Sequence, residues 1–255
     1  MSLSWLDRLT LQVHPRRLVL THRPWRQAPR HSECPVPAPG PGETVETALL
    51  AVLGPLLAAG ARRGARLDIV LADAFVRYAL VPWGPGAVGR GDRLAVAQAL
   101  LRHALGERAD TLAVTVEPPA FGRNGLAAGV EQALVDGLRT TARAHGLRLG
   151  SLRPRLVVEL NRCRAEVDDA WLACVEEDWL SLVGVAGGDI ACLRNHRAES
   201  AAVDSLAGEL AGLLAAEGAR VSGRRLVIAG RHATWPAMAG GWEVIPRPTL
   251  EPGHA

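Results

Sequence analysis

The chain has no lysine: all 29 of its Lys-plus-Arg positions are arginine, and the net charge is only +3. The arginines are scattered, with Arg62–Arg63 and Arg220 to Arg225 the densest stretches. A nucleic-acid binder needs a basic stripe interleaved with stacking aromatics. Aromatics make up 4% here, mostly tryptophans inside apolar runs. Nucleic acid is therefore not an expected partner, and arginine-only usage is what a GC-rich coding sequence produces. Cysteine is also scarce. Cys34, Cys163, Cys174 and Cys192 form no C-x-x-C pair, which removes the zinc-ribbon and thioredoxin-type signatures. Cys174 and Cys192 fall in apolar strand patterns and read as small core residues of a reducing compartment. No apolar run approaches the roughly 18 residues of a membrane span. The first nine residues carry Asp7 and Arg8 and no apolar h-region, so the expected location is cytoplasmic, without direct membrane insertion. H-x-x-x-H, H-E-x-x-H and G-x-S-x-G are all missing. The expectation is no catalytic residue, no metal and no cofactor.

What is present suffices for a globular protein. Of 255 residues, 48% are hydrophobic and 22% charged, close to globular averages. Alternation predicts a hairpin from 9–13 and 17–22 around His14-Pro15-Arg16. A Pro- and Gly-rich loop follows over 25–42. Helical spacing marks 43–63, with Pro55 expected to kink or interrupt it. Strands are predicted at 67–73 and 74–83, then a helix at 92–106 with Asp92 as N-cap. Strands at 111–117 and, weakly, 125–130 lead to a helix at 131–145 ending at Gly146, and a strand at 147–154. The C-terminal part reads as three strands, 170–176, 179–185 and 189–196, joined by hairpin-length connections. An amphipathic helix at 199–217, a buried strand at 224–230, a short helical turn and a last strand at 242–246 complete it.

The C-terminal order is β-β-β-α-β-(α)-β, and the N-terminal part is a looser version with an inserted β-α-β piece. This predicts two α/β lobes with mixed sheets covered by helices. The first lobe is expected over 1–155, with the insert at about 74–117, and the second over 156–255. Three stretches carry a family resemblance. LDIVLADAFVRYALVPW (67–83) has two strands, the second bearing Arg77 and ending at Pro82; WLACVEEDWLSLVGVAGGDIACLRNHR (171–197) reads as an opening meander; RRLVIAGRH (224–232) reads as a strand and turn. Together they resemble the actin-like (RNase H-like) family of pilus and secretion assembly proteins, of the type IV pilus PilM kind and the type II secretion GspL cytoplasmic-domain kind. The resemblance implies a two-lobed actin-like fold and a non-catalytic adaptor, peripheral to the inner membrane through a partner. It also implies that a crevice between lobes receives a cytoplasmic peptide of an inner-membrane pilus or secretion assembly protein. A homodimer is left open. The alternative is a nucleotide-binding actin-like ATPase or sugar-kinase-like enzyme.

Family members that bind ATP cradle phosphates in glycine- and aspartate-bearing hairpin turns, whose backbone N–H groups approach the anion. Here the first turn, Gln12 to Arg16, lacks both, and Pro15 removes a donor. The second turn is Glu176-Glu177-Asp178, three carboxylates that repel phosphate unless a cation intervenes; the bland alternative is a solvated turn. The adenine-side turn keeps Gly230, followed by Arg231 and His232. GPGAVG (84–89), with Asp110 about 20 residues on, matches the dinucleotide fingerprint in letters, but Pro85 lacks the N–H the phosphate needs. Asp73 and Arg77 read either as an ion pair or as a turn acid and a surface arginine. His145 sits at a helix C-terminus, and His196 and His232 are isolated. Trp5, Trp83 and Trp235 lie near element ends. Tryptophan and arginine are enriched at binding hot spots, so Arg77, Pro82 and Trp83 are the candidate partner-binding residues; the competing reading packs Trp83 on its own domain.

Overall fold

The computed structural model shows thirteen strands and five α-helices among the residues it describes. It describes residues 7–248 apart from 25, 62, 85, 87–88, 118–120, 231, 233 and 239. In chain order these are β1 (Arg8–His14), β2 (Arg17–Arg23), β3 (Arg30–Pro35), α1 (Val45–Gly60), β4 (Arg66–Leu71), β5 (Val76–Val81), α2 (Arg90–Leu105), β6 (Leu112–Val116), β7 (Gly125–Glu131), α3 (Gln132–Ala144), β8 (Arg148–Pro154), α4 (Arg155–Arg162), β9 (Trp171–Val175), β10 (Trp179–Ala186), β11 (Asp189–Arg197), α5 (Val203–Glu217), β12 (Arg225–Gly230) and β13 (Glu243–Pro248). Two compact units result. One holds the chain through Phe75 together with Val130–Arg155, and the other holds Val76–Gly129 and the chain from Leu156 to Thr249.

The first unit is built on a sheet of order β3-β2-β1-β4-β8. β1 runs antiparallel to β2, with Leu11 opposite Leu20, and parallel to β4, with Leu11 opposite Ile69. Leu9, Leu11, Leu67 and Ile69 are fully buried on one face. Thr44 opens α1, its hydroxyl accepting from Thr47 N–H at 3.3 Å. α1 continues past Pro55, so the interruption, one of the two expected outcomes, does not occur. A proline inside a helix costs about 3 kcal/mol; burial of Leu49, Leu53, Leu56 and Leu57, each worth roughly 1.5–3 kcal/mol, outweighs it. β3 was expected to be loop. Its exposed sequence RHSECP has no apolar alternation, because an edge strand needs only backbone pairing to β2.

The second unit repeats the same plan, β11-β10-β9-β12-β13. β9 is antiparallel to β10 and parallel to β12. Every residue of β9, WLACV, is buried, as a strand covered on both faces requires. Trp171, Leu180 and Leu182 pack with Leu206, Leu210 and Leu214 of α5. On the opposite face Leu172, Cys174, Val183 and Val227 pack with Leu156 of α4 and with Val167. Gly184 makes room for the indole: a Cβ there would stand 2.9 Å from the Trp171 ring. Residues 76–129 add a three-stranded sheet of order β5-β7-β6, with Val81, Ala97 and Ala127 in its core. β7, a weak strand in the sequence, is its buried centre. Its small residues admit α2, since a Cβ on Gly129 would meet Leu112 at 2.9 Å and Leu101 at 3.2 Å. Asp92 is not the N-cap of α2: that is Gly89, whose N–H donates to Asp92 Oδ2 at 3.1 Å.

Candidate functional site

The three turns weighed above as nucleotide contacts differ in construction. The β1–β2 turn consists of Pro15 and Arg16, with His14 opposite Arg17. In the β9–β10 turn, Glu176 N–H donates to the Trp179 carbonyl at 2.9 Å, and the Asp178 carbonyl accepts from Ala198 N–H at 3.0 Å. Arg197 approaches Asp178 Oδ2 at 3.4 Å. That backbone donor closes the hairpin instead of facing an anion. Gly230 serves close packing, for a Cβ on it would come within 3.3 Å of the Val175 carbonyl. Arg231 lies outside the described residues, and His232 meets the Trp235 ring edge-on at 5.9 Å between centroids. Among the described residues no group of three or more His, Cys, Asp or Glu could hold a metal ion. In GPGAVG, positions 85, 87 and 88 lie outside the described residues. Gly89 caps α2, and Asp110 pairs with Arg102 at 3.3 Å.

The candidate residues on and after β5 separate into two places. Arg77 is half-buried, its guanidinium carbon 5.8 Å from the Trp179 ring centroid and its Nη1 donating to the Val76 carbonyl at 3.2 Å. Asn195 Nδ2 donates to the same carbonyl at 3.2 Å, and Asn195 Oδ1 accepts from Ser181 Oγ at 2.9 Å and from the Trp179 indole N–H. This seam joins β5 to β10 and β11. Pro82 and Trp83 are exposed past the other end of β5, a strand that carries the chain about 13 Å from Arg77 to Val81 at 3.3 Å per residue. Asp73 is buried at the head of a 3₁₀ turn. Trp5 lies outside the described residues, while Trp235 packs against the core beneath α5.

Trp83 has an aromatic neighbour that the sequence did not single out. Its ring meets Phe121 at 5.3 Å and 71°. Trp83 is 38% exposed and Phe121 86% exposed, the two exposed large hydrophobics among the described residues. Asn124 holds this pair in place. Its Oδ1 accepts from Trp83 N–H at 3.1 Å, its Nδ2 donates to the Ile190 carbonyl at 3.0 Å, and its backbone N–H donates to Asp189 Oδ1 at 2.9 Å. Arg123 donates to the Gly188 carbonyl. The 121–124 loop is thereby pinned to the β10–β11 hairpin tip. Beside it lies a cleft of about 580 Å³, walled by the loop, the residues closing α4 and the hairpin tip. No motif flags Phe121, Asn124 or α4. A signal that could have found Phe121 was its position in an otherwise polar Pro- and Gly-bearing stretch, where a large aromatic has no core to enter.

A separate buried cluster is structural. Glu217 of α5 receives Arg194, Arg220 at 2.7 Å and the Cys192 thiol at 3.4 Å. Burial opposes charge on Glu217, but the hydrogen bonds from Arg194 and Cys192 and the nearby guanidiniums hold its carboxyl below the usual value. Burial and the bond to Glu217 push the Cys192 thiol up to about 11.

Two sheets of order 3-2-1-4-5, each with a three-strand antiparallel meander followed by parallel additions beyond its first strand, define a two-lobed actin-like fold. Solved structures of that fold match the chain along most of its length. The cytoplasmic domain of EpsL, an inner membrane component of the type II secretion system of Vibrio cholerae, is 13% identical, with a TM-score of 0.59 over 95% of this chain and 90% of that one. A chain of the PilM–PilN type IV pilus biogenesis complex is 17% identical, with a TM-score of 0.64 over 95% and 88%. A Bacteroides thetaiotaomicron protein with an actin-like ATPase fold and unknown function is 10% identical, with a TM-score of 0.56 over 89% and 82%. No family model and no curated protein sequence matches the chain.

Proposed function

We propose that this protein is a non-catalytic adaptor of an inner-membrane assembly of the pilus or type II secretion kind, binding a cytoplasmic segment of a membrane partner. The observation that carries the reading is the exposed Trp83–Phe121 pair held by Asn124. Exposed aromatics on a pinned loop supply binding area at little ordering cost. The fold likeness to EpsL and to the PilM–PilN complex supports the assembly setting. Among the described residues no helix is long and apolar enough to cross a membrane. The likeness to the cytoplasmic domain of EpsL supports a cytoplasmic setting beside the membrane partner.

Two measurements test it. Purified protein is heated with millimolar Mg-ATP, where a ligand selective for the native state raises the melting temperature by mass action. No shift is expected; a clear shift favours the ATPase alternative and counts against the adaptor. Cytoplasmic segments of inner-membrane proteins encoded beside this gene are then titrated against the protein. Binding that Trp83→Ala weakens by tenfold or more is the expected result, and absence of binding to every segment sinks the reading.

A further inference from the structure

The cleft beside the aromatic pair has a chemistry of its own. Its floor is apolar: Leu126, Val167 and Val185 are buried, and Leu160 and Ile190 are partly exposed. Its walls are already fixed by the bonds from Asn124 and Arg123 to the hairpin tip, so an occupant orders little of the protein. At about 580 Å³ it lies within the range of ligand sites.

Charge decides what it can hold. Glu117, Asp168 and Asp189 contribute three carboxylates to the lining, against the guanidiniums of Arg123 and Arg164. Arg123 already donates to Gly188. Glu117 and Asp168 are exposed, and neither side chain bonds to or pairs with another described residue. The whole chain carries +3, so an acidic excess here runs against its background. Asp189 is likewise engaged by Asn124 N–H, which leaves Glu117 and Asp168 against Arg164; a basic segment meets net attraction there and an acidic one net repulsion.

We propose that this cleft binds a short segment of a partner protein in which an apolar side chain is flanked by basic residues, the apolar group on Leu160 and Ile190 and the basic groups toward Glu117 and Asp168. The adaptor reading supplies the existence of a partner; the cleft supplies its chemistry. The full-length protein is titrated with fluorescein-labelled Arg-Leu-Ile-Leu-Arg, Ser-Leu-Ile-Leu-Ser and Glu-Leu-Ile-Leu-Glu, followed by anisotropy. The cationic peptide is expected to bind at least about tenfold tighter than the acidic one, since like-charge juxtaposition is costly. The gap should shrink in about 0.5 M salt. The double variant Glu117→Arg/Asp168→Arg changes exposed positions only and is expected to melt with the wild type while reversing the order of the peptides. Ala165→Trp, a bulky substitution in the lining, should weaken all three. Equal binding of the three peptides, or an order unchanged in the double variant, overturns the proposal. A protein that binds a membrane partner's segment yet shows no cationic preference loses the cleft and keeps the adaptor reading. One that prefers the cationic peptide yet binds no partner segment loses the adaptor reading and keeps the cleft.

Discussion

Asn124 shows how much one side chain can organise. Its amide joins the backbone after β5 to the tip of the β10–β11 hairpin through two bonds. Each is worth about 1 kcal/mol net, so Asn124→Ala should cost about 1–2 kcal/mol. In hydrogen exchange, the Trp83 amide should lose protection first. At Cys192 the reasoning concerns protons. Its thiol titrates at about 11 when folded, against an ordinary 9.0. As pH rises through that window the unfolded chain releases a proton that the folded chain keeps, so the raised thiol contributes stability below pH 9 that is lost towards 11. Urea melts across alkaline pH should show the decline, and Cys192→Ala should flatten it. Glu217 works at the acid end. Its carboxyl is held below 4.5, so its contribution is present above that pH and lost as pH falls through the lower folded value; Glu217→Gln should remove that part of the acid sensitivity.

At the scale of elements, close approach of backbones sets the tolerances. Gly223, in the loop before β12, lies against the Asp169 carbonyl, and an added Cβ would overlap that oxygen. Backbone cannot yield as a flexible side chain can. Gly223→Ala should therefore destabilise at the upper end of the roughly 1–3 kcal/mol typical of overpacking, read as a lowered urea midpoint. The meander β9-β10-β11 was legible because each strand carries apolar residues bounded by turn-length polar connections. β3 was not legible, since RHSECP pairs by backbone alone. α4 was missed for a different reason. Eight residues span little more than two turns, too short for a 3.6-residue period to stand out, and Val157-Val158 reads as readily as strand.

For the whole molecule, separating recognition from stability is the main prediction. Phe121 is 86% exposed and Trp83 38%, so Phe121 has the smaller part in packing. Phe121→Ala should leave the melting temperature nearly unchanged, because exposed substitutions usually stay within about 0.5 kcal/mol, and Trp83→Ala should lower it modestly. The same variants should weaken binding of a partner segment by tenfold or more, as hot-spot truncations do at a cost of about 2 kcal/mol. Wild-type binding by both variants would show that the aromatic pair is not the docking surface.

The order of most elements, β3 and α4 excepted, and the burial of Cys174 and Cys192 were in the sequence, because periodicity and turn chemistry are local. Strand order within each sheet and the pairing of Trp83 with Phe121 were decided only by the tertiary structure. Residues 83 and 121 lie 38 positions apart, and no local rule links them. Asn124 brings them together by bonding two segments that only the folded chain makes neighbours, and contacts of that range carry no period a linear reading can detect.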